Sequence, residues 1–255
     1  MNTNRRKNKN LEWIARDKYG GDISKITSSD ILRLKKGEPV DYIIGWTPFL
    51  DCIIDLSKHP LIPRPETEYW VKNAIENIEF SLGSREKKFH ALDIFAGSGC
   101  IGVAVLKHFP NAYIDFVDID AQALAQIKIN AKQNNVLSCA NIIRSNGFKN
   151  IKKQYDYIFA NPPYIDELGM EKLPVSVKKY EPPLALFGGK DGMDTVTVFL
   201  AQVFGKLKPN GVLWMEFGAG QKGKIQKIIH DISVIDFEFL RDQYGKWRTV
   251  KVQKQ

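Results

Sequence analysis

From residue 89 to the C-terminus, short apolar runs alternate with longer stretches in which apolar residues recur every three or four positions. The short runs, bounded by Gly, Asp or Asn, predict strands, and the 3.6-residue period predicts amphipathic helices. Strands are expected at Ala91–Phe95, Tyr113–Asp118, Ala140–Arg144, Tyr157–Ala160, Gly211–Phe217, Phe237–Leu240 and Thr249–Val252. Helices are expected over Cys100–His108, Ala121–Asn134, Asp191–Leu207 and Lys222–Ile232. Such a βαβα rhythm predicts an α/β fold: a doubly wound, parallel sheet with helices on both faces.

The first 88 residues follow a different pattern. Two short helices are expected, Leu11–Tyr19 and Ser29–Lys35, the second capped by Ser28 or Ser29 and separated from the first by Gly20-Gly21. Tyr42–Leu56 alternates and is rich in Ile, Trp and Phe, which predicts a β-hairpin. Pro60, Pro63 and Pro65 forbid regular structure until a helix over Glu66–Asn77, and Phe80–Lys88 is a charged linker. Three parts result: a basic helical segment 1–36, a hairpin and proline-rich connector 37–88, and a main α/β domain 89–255.

Composition adds limits. With 255 residues, 44% of them hydrophobic, the chain can bury a core that needs no disulfide or structural metal. Cys52, Cys100 and Cys139 form no CxxC pair and His59, His90, His108 and His230 are scattered, so no metal site is expected. A reduced, cytoplasmic setting is the expectation, with no membrane span and no secretory signal in Met1–Asn10. Of the formal +8 charge, most sits at the start: residues 1–36 hold ten Lys/Arg against four Asp/Glu. Such an arm suits RNA or a ribosome-associated partner, and equally a solvated tail.

Three constellations carry chemistry. In the first, the strand ending at Asp93 runs through Phe95-Ala96-Gly97-Ser98-Gly99 into a helix, a Gly-rich turn that suits an adenosine ligand or a tight connection. In the second, Asp118-Ile119-Asp120 closes the next strand about 20 residues on, where an acid can accept ribose hydroxyls. Asp118 is assigned to the ribose and Asp120 to the cap of the following helix. The third is Asn161-Pro162-Pro163-Tyr164 after an apolar strand. Its prolines donate no N–H and hold the backbone extended, so the Asn161 side-chain oxygen and the Pro162 carbonyl can accept both hydrogens of a planar NH₂ group. Tyr164 offers an aromatic face on which that group can stack. A rigid strand-end turn is the alternative.

From Leu34 onward the chain resembles the class I methyltransferases that modify the glutamine of peptide-chain release factors. The resemblance rests on Gly37-Glu38-Pro39, Tyr42–Gly45, the specific stretch Leu61-Ile62-Pro63-Arg64-Pro65-Glu66-Thr67-Glu68, Leu92-Asp93 through Gly99, Val117-Asp118-Ile119 and Asn161–Ile165. Glu181-Pro182, Leu184–Leu186 and Gly188-Gly189 complete it. It implies a Rossmann-like sheet with an antiparallel C-terminal strand, S-adenosylmethionine as methyl donor with S-adenosylhomocysteine as product, no metal, and a release factor as partner. It further implies that Asp93 and Phe95 to Gly99 serve the cofactor's methionine end, Asp118 and Ile119 its ribose, and Asn146-Gly147-Phe148 its adenine. Asn161 to Tyr164 would hold the substrate glutamine, with Arg64 to Thr67, Arg64 and Glu66 foremost, shaping the floor beside it. The chain departs from the family pattern at Phe95, in place of a usual glycine, at Asn146-Gly147, in place of an Asp and an aromatic residue, and in its short N-terminal helical segment. Two other readings stay open: a nucleic-acid amino methyltransferase, and a non-catalytic module with the same fold.

Overall fold

The computed structural model describes residues 9–231 and 236–255. Residues 1–8, which hold part of the basic arm, and Ile232, the expected end of a helix, lie outside the described residues. Helix α1 spans residues 9–19, with a wider π-type turn over Ile14–Lys18. Helix α2 is Ser28–Lys35, and its cap is Thr27 rather than either serine. The Thr27 hydroxyl accepts the Asp30 N–H while the Asp30 carboxylate accepts the Thr27 N–H, which serves two helix-end donors at once. Arg16, Lys18, Lys25 and Arg33 each pair with a carboxylate of this same segment or of Glu38. Much of the arm's described charge is therefore spent internally.

The expected hairpin begins later than its alternation suggests. Val40–Ile44 is a single helical turn, α3, between Pro39 and Gly45, which sits at φ 96° and reverses the chain. Strands β1 (Trp46–Phe49) and β2 (Cys52–Asp55) then pair antiparallel. Helix α4 runs Pro65–Leu82, beginning one residue before and ending five after the expected Glu66–Asn77. Pro65 occupies the first helical position, where no N–H is required, Glu66 and Glu68 face the positive end of the helix dipole, and the helix stops only at Gly83 (φ 68°). Phe80 is thus helical, and the charged linker starts after Leu82.

The main sheet contains β3 (His90–Ile94), β4 (Tyr113–Asp118), β5 (Ala140–Arg144), β6 (Tyr155–Ala160), β7 (Leu207–Glu216), β8 (Asp236–Arg241) and β9 (Trp247–Gln253). Their spatial order is β5-β4-β3-β6-β7-β9-β8, parallel from β5 to β7, with β9 inserted antiparallel between β7 and β8. Helices α5 (Cys100–His108), α6 (Ala121–Gln133), α7 (Glu167–Lys172), α8 (Val175–Tyr180), α9 (Asp194–Val203) and α10 (Lys222–Asp231) complete the fold. Helices α7 and α8 were not expected. Conversely, the helix expected to reach Leu207 ends at Val203, and Leu207 opens β7 against Tyr155.

Successive strand residues point to opposite faces, and the core divides accordingly. Ala91, Phe116, Phe159 and Trp214 pack with α4, α5 and the β1–β2 hairpin, whereas Leu92, Val117, Ile158 and Met215 pack with α9 and α10. The connector 37–88 therefore shares one core with the sheet.

What ties the hairpin down is polar. Helix α6 carries Gln126 and Asn130 on its buried face and Asn134 at its C-cap, all under 9% exposed. Asn134 accepts the Ile53 N–H (3.1 Å) and donates to the Ile53 carbonyl (2.8 Å). Asn130 does the same for Asp55 (2.8 and 3.2 Å) and also donates to the Ser98 carbonyl (2.8 Å). Gln126 accepts the Lys58 N–H and donates to Asp55 (2.8 and 3.0 Å). Side-chain amides thus replace a neighbouring strand along β2. Asn130→Ala takes the side-chain partner from the buried Ser98 carbonyl and from the part-buried Asp55 N–H and carbonyl, and should cost about 2–3 kcal/mol in urea unfolding. A loss under about 0.5 kcal/mol would show that water replaces the amide.

Candidate active site

The sheet's direction of winding reverses between β3 and β6, and the crevice at the carboxyl ends of these strands is where such folds bind ligands. A cavity of about 330 Å³ lies there. It is walled by Phe95 to Ser98, Val117 to Asp120, Ser145 to Gly147, Asn161, Pro163 and the proline-rich corner Lys58 to Arg64. The three constellations, spread between Asp93 and Tyr164 in sequence, thus meet around one space.

The Gly-rich turn is held in place by the neighbouring acid. Asp118 accepts the Gly97 N–H on one oxygen (2.9 Å) and the Asp120 N–H on the other (3.0 Å). Burial pushes its carboxyl above the usual range, against the pull of those two N–H groups. Asp118 also lines the cavity, and each of its oxygens can accept a further hydrogen bond. Asp120 caps α6 through the Gln122 N–H, as expected of it. Phe95 adopts φ 60°, a left-handed conformation that a glycine takes at no cost. Its ring packs edge-on against Phe199 (5.6 Å), which stacks on Phe148 (5.5 Å).

Several expected contact residues are not on the cavity wall. Asp93 is fully buried beneath the turn, where one oxygen accepts the Gly102 N–H (2.9 Å) and the other has no partner. Its role here is to hold the start of α5. Gly99 (φ 78°) and Phe148 also support the wall from behind, the first against Ile127 and the second under Phe199. Glu66 sits in the first turn of α4, off the wall, whereas Arg64 is on it. The Arg64 guanidinium grips both oxygens of Glu181 (2.6 and 2.7 Å), and Glu181 also accepts the Ile62 N–H. That ion pair pins the proline-rich corner to the chain segment following Tyr164.

Of the Asn-Pro-Pro-Tyr motif, Asn161 and Pro163 line the cavity, and Pro162 and Tyr164 stand behind it. The reason is a carboxylate that sequence reading missed. Glu216, at the end of β7 and 2% exposed, accepts the Thr67 hydroxyl (2.6 Å), the Trp70 indole N–H (2.8 Å) and the Tyr164 hydroxyl (2.9 Å). Burial raises its pKa and these three donors oppose the rise. Burial and the adjacent Glu216 together push the Tyr164 phenol well above its ordinary value, so it stays a donor. Because the Thr67 hydrogen is committed to Glu216, its oxygen can only accept from the Asn161 NH₂, at 3.5 Å. This orders the Asn161 amide with its oxygen as the free acceptor. Gln221 secures the motif's far end by donating to the carbonyls of Tyr164 and Gly192 (2.9 Å each).

Comparison with known proteins matches residues 80–175 to the methyltransferase small domain. Over 224 residues the chain is 34% identical to the release factor glutamine methyltransferase of Koribacter versatilis, an alignment covering 88% of this chain and 78% of that protein. The chain belongs to the release factor glutamine methyltransferase family. It is also 35% identical over 230 residues to the bifunctional methyltransferase of Rickettsia prowazekii, of which it spans 44%. Among solved structures, a methyltransferase from Pyrococcus furiosus shares the fold, with a TM-score of 0.57 and 18% identity over 89% of this chain and 98% of that one.

Thr67 lies within the Arg64–Thr67 stretch expected to shape the floor of the site, whereas Glu216 was missed and its one faint signal is that of a lone acid closing an apolar strand. Trp70 carried no signal beyond its place on an apolar helix face.

Asp93 generates a prediction about stability. Burial pushes its carboxyl up to about 8, and an ionised form would leave a charged oxygen without a donor. The native protein therefore keeps this proton up to about pH 8, whereas the unfolded chain releases it near pH 4. Between those values the native state holds one more proton, so this group's contribution falls as pH rises. Asp93→Asn keeps an acceptor for the Gly102 N–H and removes the titration. Its melting temperature should decline less steeply than that of the wild type from about pH 5 to about pH 8. Equal slopes in the two proteins would mean that Asp93 is ionised in the native state.

Proposed function

We propose that this chain transfers a methyl group from S-adenosylmethionine to the side-chain amide nitrogen of a protein glutamine, that of the Gly-Gly-Gln motif of a peptide-chain release factor. The substrate assignment draws on the family to which the chain belongs. The observation that carries the chemistry is the relay from Glu216 through Thr67 to Asn161, which sets a side-chain oxygen as acceptor at the cavity wall.

The cavity residues fit the methyl donor. Asp118 retains two lone pairs suited to vicinal hydroxyls, Phe95 to Ser98 border the end nearest Asn161's strand, and Asn146-Gly147 offer an uncharged wall for a flat base. When bound, S-adenosylmethionine supplies an electrophilic methyl group on a sulfonium centre. Everything else falls to the protein.

An amide nitrogen is a weak nucleophile because its lone pair is shared with its carbonyl. The Asn161 side-chain oxygen and the Pro162 carbonyl accept its two hydrogens and turn the lone pair toward the cofactor side of the cavity. Both acceptors strengthen as positive charge builds on the nitrogen, so they favour the transition state over the ground state. Tyr164, tethered by Glu216 and by Gln221, fixes the loop that carries these acceptors. The proton finally lost from the methylated amide is acidic enough for water to take.

Mass spectrometry of a release factor incubated with enzyme and donor should show one added methyl on the Gly-Gly-Gln glutamine. Methyl incorporation into RNA or DNA instead would favour the nucleic-acid reading. Asn161→Ala should lower turnover by at least about 100-fold while donor affinity stays within a few-fold. Full activity in that variant would remove Asn161 from the mechanism. Thr67→Ala should cost about tenfold in kcat through loss of amide orientation, and Thr67→Ser should restore most of it. Equal rates for the alanine and serine variants would mean that the hydroxyl plays no part.

A further inference from the structure

Beyond Tyr164, on the side away from the cofactor cavity, the structure assembles a group of cations around one tryptophan. Strand β9 runs antiparallel to β7 with Thr249 opposite Glu216, so Trp247 and the β8–β9 turn project past the carboxyl edge of the sheet. The Lys222 ammonium lies 3.6 Å from the Trp247 ring centroid and the Arg241 guanidinium carbon 4.1 Å from it. Lys222 also reaches over Phe239, at 5.2 Å. It directly follows Gln221, whose amide holds the Tyr164 carbonyl, so the cluster adjoins the residue that tethers the proposed acceptor-binding motif.

The turn is built to be rigid. Asp242, 6% exposed, accepts the N–H groups of Tyr244 and Lys246 (2.9 Å each) and pairs with Arg248 (3.4 Å). Its charge is thereby spent on the turn and on Arg248. Among the described residues Lys222, Arg241 and Lys246 enter no ion pair. Tyr244 stands 65% exposed at the tip beside them. Ring contact steadies two of these cations individually, but it leaves their net charge uncompensated and facing solvent. Holding like charges together this way costs free energy unless an anion is shared among them.

We infer that Lys222, Arg241, Lys246 and Tyr244 form a docking surface for an acidic segment of the protein substrate, flanking the glutamine held by Asn161. The inference rests on the reading that the acceptor is a protein. A carboxylate-bearing segment is favoured over nucleic acid because the Trp247 ring is already occupied by two cations and offers no open face for a base. Cations at a rim chiefly affect encounter and partner choice, and their influence falls with salt. The surface therefore acts on how the release factor is engaged and leaves the methyl-transfer step alone.

The test compares the wild type with the triple variant Lys222→Gln/Arg241→Gln/Lys246→Gln, and with Lys246→Gln alone at the exposed tip. At about 50 mM salt the triple variant should raise KM for the intact release factor about tenfold, with kcat and donor KM within about twofold, and the gap should narrow by about 500 mM salt. Lys246→Gln should give a smaller change in the same direction. A short Gly-Gly-Gln peptide without acidic residues should be methylated equally by all three proteins. Unchanged KM for the release factor in both variants would overturn the proposal, as would an equal loss on the short peptide. Loss of RNA retention on filters with protein KM unchanged would assign the surface to nucleic acid and overturn it too. If the wild type methylates no release factor, the reading of function fails. Fluorescence anisotropy of labelled release factor with wild type and variants then decides the docking surface by itself, equal affinities counting against it.

Discussion

A carboxylate removed from water has to be met by donors, and Glu216 is met by three that arrive from separate parts of the chain. Thr67 and Trp70 come from α4, some 146 to 149 residues earlier, and Tyr164 from the loop after β6. Leaving any one of them out would leave a buried polar group short of a partner, so the position of α4 and the path of the Asn-Pro-Pro-Tyr loop are set by the same side chain. From there the constraint passes outward. Thr67 orders the Asn161 amide, α4 carries Arg64 at its head, and Arg64 clasps Glu181 to fasten the corner opposite. The cavity owes its shape to polar closure at this end, while the apolar layers on the two sheet faces supply the bulk of the stability.

The sheet was legible because its central strands are buried on both faces and read as unbroken apolar runs between turn residues. The Gly-rich turn, Asp118 and Asn161 were legible for the same reason: each closes such a run. Errors cluster where one local pattern serves two structures. Tyr42-Ile43-Ile44 reads as the start of an alternating strand, but Pro39 and Gly45 enclose too few residues for anything except one helical turn. The end of α4 was placed early because Phe80 is apolar yet 88% exposed, and nothing in the local pattern distinguishes that from a core residue. Helices α7 and α8 are each six residues long, too short for periodicity to register.

Contacts between distant segments were the least legible part of the site. Asp93 resembles Asp118 as an acid near a strand end, yet β3 pairs it with Phe116, two residues before Asp118, and there its carboxyl meets the Gly102 N–H beneath the turn. Glu216 likewise closes a strand, and only its donors, which no local window contains, reveal its place. The unusual Phe95 is reconciled by its partners: the aromatic contacts with Phe199 and Phe148 support a backbone conformation that the side chain alone would disfavour.

The amide row on α6 has one further consequence. Its three members are spaced four residues apart, about 6.0 Å along a helix axis, while Ile53 and Asp55 are two apart on β2, about 6.7 Å along a strand. The two repeats nearly coincide, so the helix and the strand mesh like a pair of toothed racks. Sliding either by a single residue would unseat every tooth at once, since no intermediate position satisfies both carbonyls and N–H groups. A one-residue insertion within β2 or within the middle of α6 is therefore far more damaging than one in the loops at their ends, and the length of this short stretch is held constant by pitch alone.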